Sequence, residues 1–234
     1  MSALTALRRI AAGERPHGEL LPPCRLEAFG VEAYGEEAIV QSFRSAPLQI
    51  SASAEVIVAE GHIAVFEGEH ALVADLHGED IARIWRLGPG EPAIGEPAIG
   101  VPFDPDLWQS RREVALRRED HPALSEDGAV AVEAIGRDLA CNWQSGGGPG
   151  DYRVRPFLLR AFSAGERGAA LFAVYRLGPL AQRSAGFSLA AASFQVAGGK
   201  LSGYTVVRDR AGESAVHEAL WQPRVTTLVR GLNC

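Results

Sequence analysis

Between Leu48 and Leu87, apolar and polar positions alternate in short segments separated by glycine. Glu55–Ala59 and His62–Phe66 are rich in β-branched and apolar residues; Gly61 separates them and Gly68 closes the second. Runs of this kind bounded by glycine predict strands. Ala71–His77 and Ile81–Leu87 follow, joined by the polar loop Gly78-Glu79-Asp80. A three-residue loop places His77 opposite Ile81, Asp75 opposite Arg83 and Val73 opposite Trp85. In that register Leu72, Ala74, Leu76, Ala82 and Ile84 share one face, while Val73, Asp75, His77, Arg83 and Trp85 share the other. Side chains alternate across a pleat, so a slip of one residue would mix the two sets. The apolar face is expected to meet helices. The mixed face is left to solvent, a partner sheet or a pocket.

Helical spacing appears on either side of this meander. Leu4, Leu7, Ile10 and Ala11 predict an amphipathic helix that stops near Gly13 and Pro16. Pro22-Pro23 rules out a helix beyond Leu21, and Arg25–Val31 reads as one short strand. Tyr34–Arg44 is predicted helical, with Glu36 and Glu37 early in it, where acids complement the helix dipole. Residues 89–106 carry a tandem Glu-Pro-Ala-Ile-Gly repeat and further prolines; this density predicts a stiff linker without regular structure. Leu107–Asp120 and Glu126–Gln144 follow as helices, the second capped by Ser125. Tyr152–Ser163, Gly168–Leu177, Gly186–Ala197 and Lys200–Arg208 predict a second run of strands. Gly198-Gly199 is a two-residue hairpin signal. Ala215–Trp221 reads as a last helix. The expected organisation is a first half (1–88), a linker (89–106) and a second half (107–234), with Ala71–Leu87 corresponding to Ala191–Arg208.

Composition narrows the function classes. The chain has 234 residues, 47% hydrophobic and 22% charged, and a net charge of −6. That is a globular composition with a core of ordinary size. The basic pairs Arg8-Arg9, Arg111-Arg112 and Arg117-Arg118 each sit in a helix-like segment among acids or apolar residues. They read as solvated helix faces, so no nucleic-acid partner is expected. No apolar run approaches the roughly 20 residues that cross a bilayer, and no secretory leader is evident. Cys24, Cys141 and Cys234 are widely spaced and odd in number, which predicts reduced thiols. The expected location is the cytoplasm, with no membrane partner.

The helix Tyr34–Phe43, which contains Gly35-Glu36-Glu37-Ala38-Ile39, and the closing hairpin Asp75–Arg86 together resemble the nuclear transport factor two-like superfamily, which includes ketosteroid isomerase, scytalone dehydratase and limonene epoxide hydrolase. The resemblance covers Leu4–Leu87 and is looser over Leu107–Trp221. It implies an α+β fold in which a curved antiparallel sheet wraps around helices, giving two similar cone-like halves. It further implies an apolar hollow in a half, and sheets that pair as an intramolecular pseudo-dimer or in a homodimer. The function it implies is binding of a small apolar ligand without a catalytic set. The alternatives are a cofactor-independent isomerase, dehydratase or hydrolase, and a non-catalytic assembly module.

Asp75 and His77 share a strand face, and a carboxylate beside an imidazole makes a general base; Arg83 would steady an anion. These three are the catalytic candidates. Asp75 opposite Arg83 reads more simply as a cross-strand ion pair. Tyr34, Trp85, Trp143 and Phe194 are the ligand-lining candidates. His62, His70 and His77 are close in sequence, but nothing brings three nitrogens to one point, so no metal is expected. No cofactor is expected either: Gly146–Gly150 lacks the Lys-Ser/Thr ending of a phosphate loop.

Overall fold

A computed structural model describes residues 2–28, 31–89, 101–102, 120–142, 153–177, 184–210 and 212–213. Three helices and two mostly antiparallel sheets make it an α+β protein among those residues. Helix α1 (Ala3–Ala11) starts at Ser2, whose hydroxyl accepts from the Thr5 N–H, and buries Ala6, Leu7, Ile10 and Ala11. Strands β1 (Leu20–Ala28) and β2 (Val31–Tyr34) form a hairpin. Helix α2 (Glu36–Ser45) buries Ile39, Val40 and Phe43. The meander is β3 (Glu55–Ala59), β4 (His62–Glu67), β5 (His70–His77) and β6 (Asp80–Leu87). The second half contributes β7 (Val101–Pro102), α3 (Glu126–Asn142), β8 (Arg153–Ala164), β9 (Arg167–Leu177), β10 (Ser184–Ala197) and β11 (Lys200–Arg208).

The first sheet has six strands in the order β2-β1-β6-β5-β4-β3; the second has the order β11-β10-β9-β8, with β7 on β10. Three buried clusters fix the layering. On one face of the first sheet, Leu72, Ala74, Ile81 and Ile84 join Leu7 and Ile10 of α1 and Ile39 and Phe43 of α2. On one face of the second, Phe172, Ala190 and Phe194 join Val132, Ile135 and Leu139 of α3. Between the sheets, Ile57, Phe66, Val73, Trp85 and Leu87 meet Phe162, Leu171, Leu189 and Val207. Each sheet thus lays its helices outward and its other face against the other sheet. Each large side chain buried this way contributes roughly 1.5–3 kcal/mol.

Several expectations need correction. The first sheet is not wholly antiparallel, because β1 runs parallel to β6. The expected single strand 25–31 is a hairpin that begins at Leu20. Pro22 and Pro23 lie inside β1, where the pairing with β6 shifts between Leu20 and Arg25. Neither proline has an N–H for the ladder, so the register slips at that point. Tyr34 ends β2 and precedes the helix, which begins at Glu36 after Gly35. The β5–β6 turn is two residues, Gly78-Glu79, with Gly78 at φ +66. His77 therefore faces Asp80, Leu76 faces Ile81, and Ala82 is left as a bulge. Beyond the bulge, the expected pairs Asp75–Arg83 and Val73–Trp85 hold. Within 89–106, Val101-Pro102 is a two-residue edge strand on Ser184-Ala185, against the expectation of no regular structure there. The prolyl residue is tolerated because an edge strand leaves one side of its backbone unpaired.

The segments β8 to β11 and α3 lie as expected, and Ser125 accepts from the Gly128 N–H at 3.1 Å. The hairpin at Gly198-Gly199 has both glycines at positive φ. In each sheet four strands neighbour one another in chain order, β3-β4-β5-β6 in the first and β8-β9-β10-β11 in the second. The expected helix 107–120, apart from Asp120, the expected helix 215–221 and the repeat at 91–100 lie outside the described residues, as does Trp143.

Candidate functional site

The mixed face of the β5–β6 hairpin turns Val73 and Trp85 toward the second sheet, and Asp75 meets the other half at the rim of that junction. Asp75 is the centre of one group. His62 is its register partner on β4, and the ring Nδ1 lies 3.0 Å from Oδ1. An ionised carboxylate only accepts, so Nδ1 carries the proton in this bond. Arg160 of β8, from the other half, grips the same carboxylate. Its Nε reaches Oδ1 at 2.9 Å and Oδ2 at 3.0 Å, and its Nη2 reaches Oδ2 at 2.9 Å. Nη1 of Arg160 donates to the Leu159 carbonyl at 2.6 Å. The His62 ring stacks on Phe162, centroids 5.1 Å apart and 15° from parallel. Burial alone would raise the Asp75 pKa; the bonds and charges of His62 and Arg160 outweigh it and hold the carboxyl below its usual range.

A second group continues the first along β6 and β1. The Trp85 ring lies under Arg83 at 4.4 Å and Arg160 at 5.2 Å, and its indole N–H donates to Glu27 at 2.9 Å. Arg83 donates to the same Glu27, and Arg25 reaches it at 2.8 Å. Arg25 also pairs with Glu32. Three guanidiniums and three carboxylates therefore interlock, each charge answered by an opposite one. Arg25, Glu27, Glu32 and Arg83 all lie on the first sheet, and Arg160 is the member of this network that comes from the second.

His121 borders the first group from the segment that leads into α3. It is 8% exposed and close enough to Arg160 and His62 to feel both charges. Burial pulls its pKa down, Asp120 opposes this, and Arg160 and His62 add to the fall. Backbone bonds fix the segment against β8: the Ser163 N–H donates to the Ala123 carbonyl at 2.9 Å, and the Ser125 N–H to the Ser163 hydroxyl at 3.1 Å.

The sequence-derived catalytic candidates fare unevenly. Asp75 is at the centre of a cluster, but its oxygens are engaged by His62 and Arg160. His77 is exposed at the hairpin end, and Arg83 turns to Glu27. No hydrogen bond or ion pair joins Asp75, His77 and Arg83 to one another. The expected Asp75–Arg83 ion pair is replaced by Asp75–Arg160. The ligand-lining candidates are also dispersed. Tyr34 is 59% exposed on β2, Trp85 lies between the sheets, and Phe194 is in the core under α3. His62, His70 and His77 do not converge, and no group of metal-ligating side chains occurs among the described residues. No helix among them is long and apolar enough to cross a membrane.

Sequence reasoning weighed His62 only as a metal ligand, and it missed Arg160 and His121. A signal for His62 was present: a two-residue turn at Gly68-Glu69 sets Glu67 opposite His70, and counting back sets His62 opposite Asp75. Arg160 comes from 85 residues away, and no local pattern announces it. Comparison of this chain with protein-family models, with curated proteins and with solved structures gives no match.

Proposed function

We propose that this chain is a non-catalytic assembly module of nuclear transport factor two-like build. Two cone-like halves, 1–88 and 107–234, pack sheet to sheet as an intramolecular pseudo-dimer across the linker 89–106. The observation that carries this reading is the burial of the mixed face of β5 and β6 against β8, β9 and β10, sealed at its rim by Asp75 and Arg160. At that rim both oxygens of Asp75 are taken up by His62 and Arg160. The helix-facing side of the first half is filled by α1 and α2, so that half acts as a brace for its neighbour.

The test is a specific protease site inserted within residues 90–100 of the full chain. After cleavage, the halves should co-elute on gel filtration and unfold in one transition. Separation of the pieces into two stable species would refute the reading.

A further inference from the structure

The cluster at the sheet junction is built from groups that respond to protons. His62 and Asp75 belong to the first half; Arg160 and His121 belong to the second. The junction therefore has a charge state that depends on pH, and that charge state acts between the halves. One carboxylate, Asp75, is gripped by the Arg160 guanidinium and by the His62 ring. A proton taken up by His121 adds a cation within reach of the Arg160 charge.

We propose that His62, Asp75, Arg160 and His121 form an acid-sensitive joint, which holds the two sheets together at neutral pH and loosens when His121 charges. His62 holds the Asp75 carboxylate from the first sheet. His121 sits in the segment tied to β8, nearly out of water and within reach of the Arg160 charge, and among the described residues Asp120 is the acid acting on it. Its protonation adds a poorly solvated cation that the charge of Arg160 opposes.

The charged groups that face the joint come from each element around it. They are His62 on β4, Asp75 on β5, Arg83 on β6, Glu27 on β1, Arg160 on β8, and Asp120 with His121 ahead of α3. Glu27 is engaged with Arg83, Arg25 and Trp85, so it does not offset a new charge at His121. The sign follows from burial. His121 binds a proton less readily folded than unfolded, so the folded state takes up fewer protons as pH falls through the ordinary histidine range near 6.5. Stability is complete above that range and declines below it. Asp75 acts in the same direction, but only below the ordinary carboxylate range.

The experiment uses the full chain and His121→Gln. Unfolding by denaturant is measured from pH 7.5 to 5, together with amide exchange of β4 and β8. The wild type should lose more stability over this interval than the variant. The difference in unfolding constant should grow by up to about tenfold per pH unit below about 6.5, the slope set by one proton. Amide protection in β4 and β8, corrected for intrinsic exchange, should fall with pH in the wild type and stay flatter in the variant. Equal slopes in the two proteins overturn the proposal. Should His121→Gln fail to fold, the ring titration of His121 in the wild-type chain decides: a pKa at or above 6.5 overturns it, and a lower value with loss of β4 and β8 protection supports it.

Discussion

Replacing Asp75 by Asn keeps the shape of the side chain and removes its charge. Arg160 loses the carboxylate that its Nε and Nη2 grip, and His62 loses its acceptor. The amide can accept at one oxygen only, so one of the two partners is left facing an N–H group. Breaking a deeply buried pair from one side costs about 3–5 kcal/mol, whereas exposed pairs are worth roughly 0.2–1 kcal/mol. Asp75 is 19% exposed and Arg160 34%, so solvent screening places this pair between the limits, at about 2 kcal/mol. For a chain of this size that corresponds to a fall of about 4–8 °C in Tm. Urea unfolding of the wild type, Asp75→Asn, Arg160→Met and the double variant measures both the loss and the coupling. The two sites should couple by at least about 1 kcal/mol, because they share one contact. Additive losses, or a loss under about 0.5 kcal/mol for Asp75→Asn, would refute the claim that this pair seals the junction.

Further outcomes follow from packing and protonation. Phe162→Ala removes a fully buried ring that meets the first sheet and stacks on His62; denaturant unfolding should show a loss of about 3–5 kcal/mol, still in one transition. Gly168→Ala would set a Cβ 2.1 Å from Phe194 Cζ and 2.8 Å from the Phe162 carbonyl, so overpacking should cost about 1–3 kcal/mol in the same assay. Burial pushes the Cys24 thiol up to about 11. In a Cys141→Ser, Cys234→Ser background, a thiol reagent at pH 8 should modify Cys24 only as fast as the protein unfolds. Asp75, whose folded pKa is depressed, contributes stability that is present above the ordinary carboxylate value near 3.9 and lost as pH falls through its lower folded value; in Asp75→Asn the acid limb below pH 4 should be shallower.

The meander was legible because strand alternation is local. Val73, Trp85, Leu72 and Ile84 fell on the faces the pattern assigned, and two of the three expected pairs hold. Ser125 and Gly198-Gly199 were legible for the same reason, since a cap and a tight turn act through neighbours. The β1–β2 hairpin was not, because Pro22-Pro23 hides the strand pattern that Leu20, Cys24 and Leu26 follow. The bulge at Ala82 was hidden as well: a two-residue and a three-residue loop are both compatible with Gly78-Glu79-Asp80. The site shows the clearest limit. Asp75 could be singled out as chemistry-bearing, and the mixed face as unusual. The side chain that answers Asp75 is set by how the second sheet lies on the first. Sheet-on-sheet packing is a long-range property, and the pattern within either half is the same whether its outer face meets water or a partner.

The central claim is that the two halves meet through these faces, and ring-to-ring contact between His62 and Phe162 tests it most directly. With histidine and phenylalanine selectively labelled in the full chain, nuclear Overhauser spectra at neutral pH should show cross-peaks between the two rings, whose centroids lie 5.1 Å apart. Mutating Phe162 to Leu should abolish them. Their absence from the spectrum of a folded wild-type chain with both rings assigned would contradict the account.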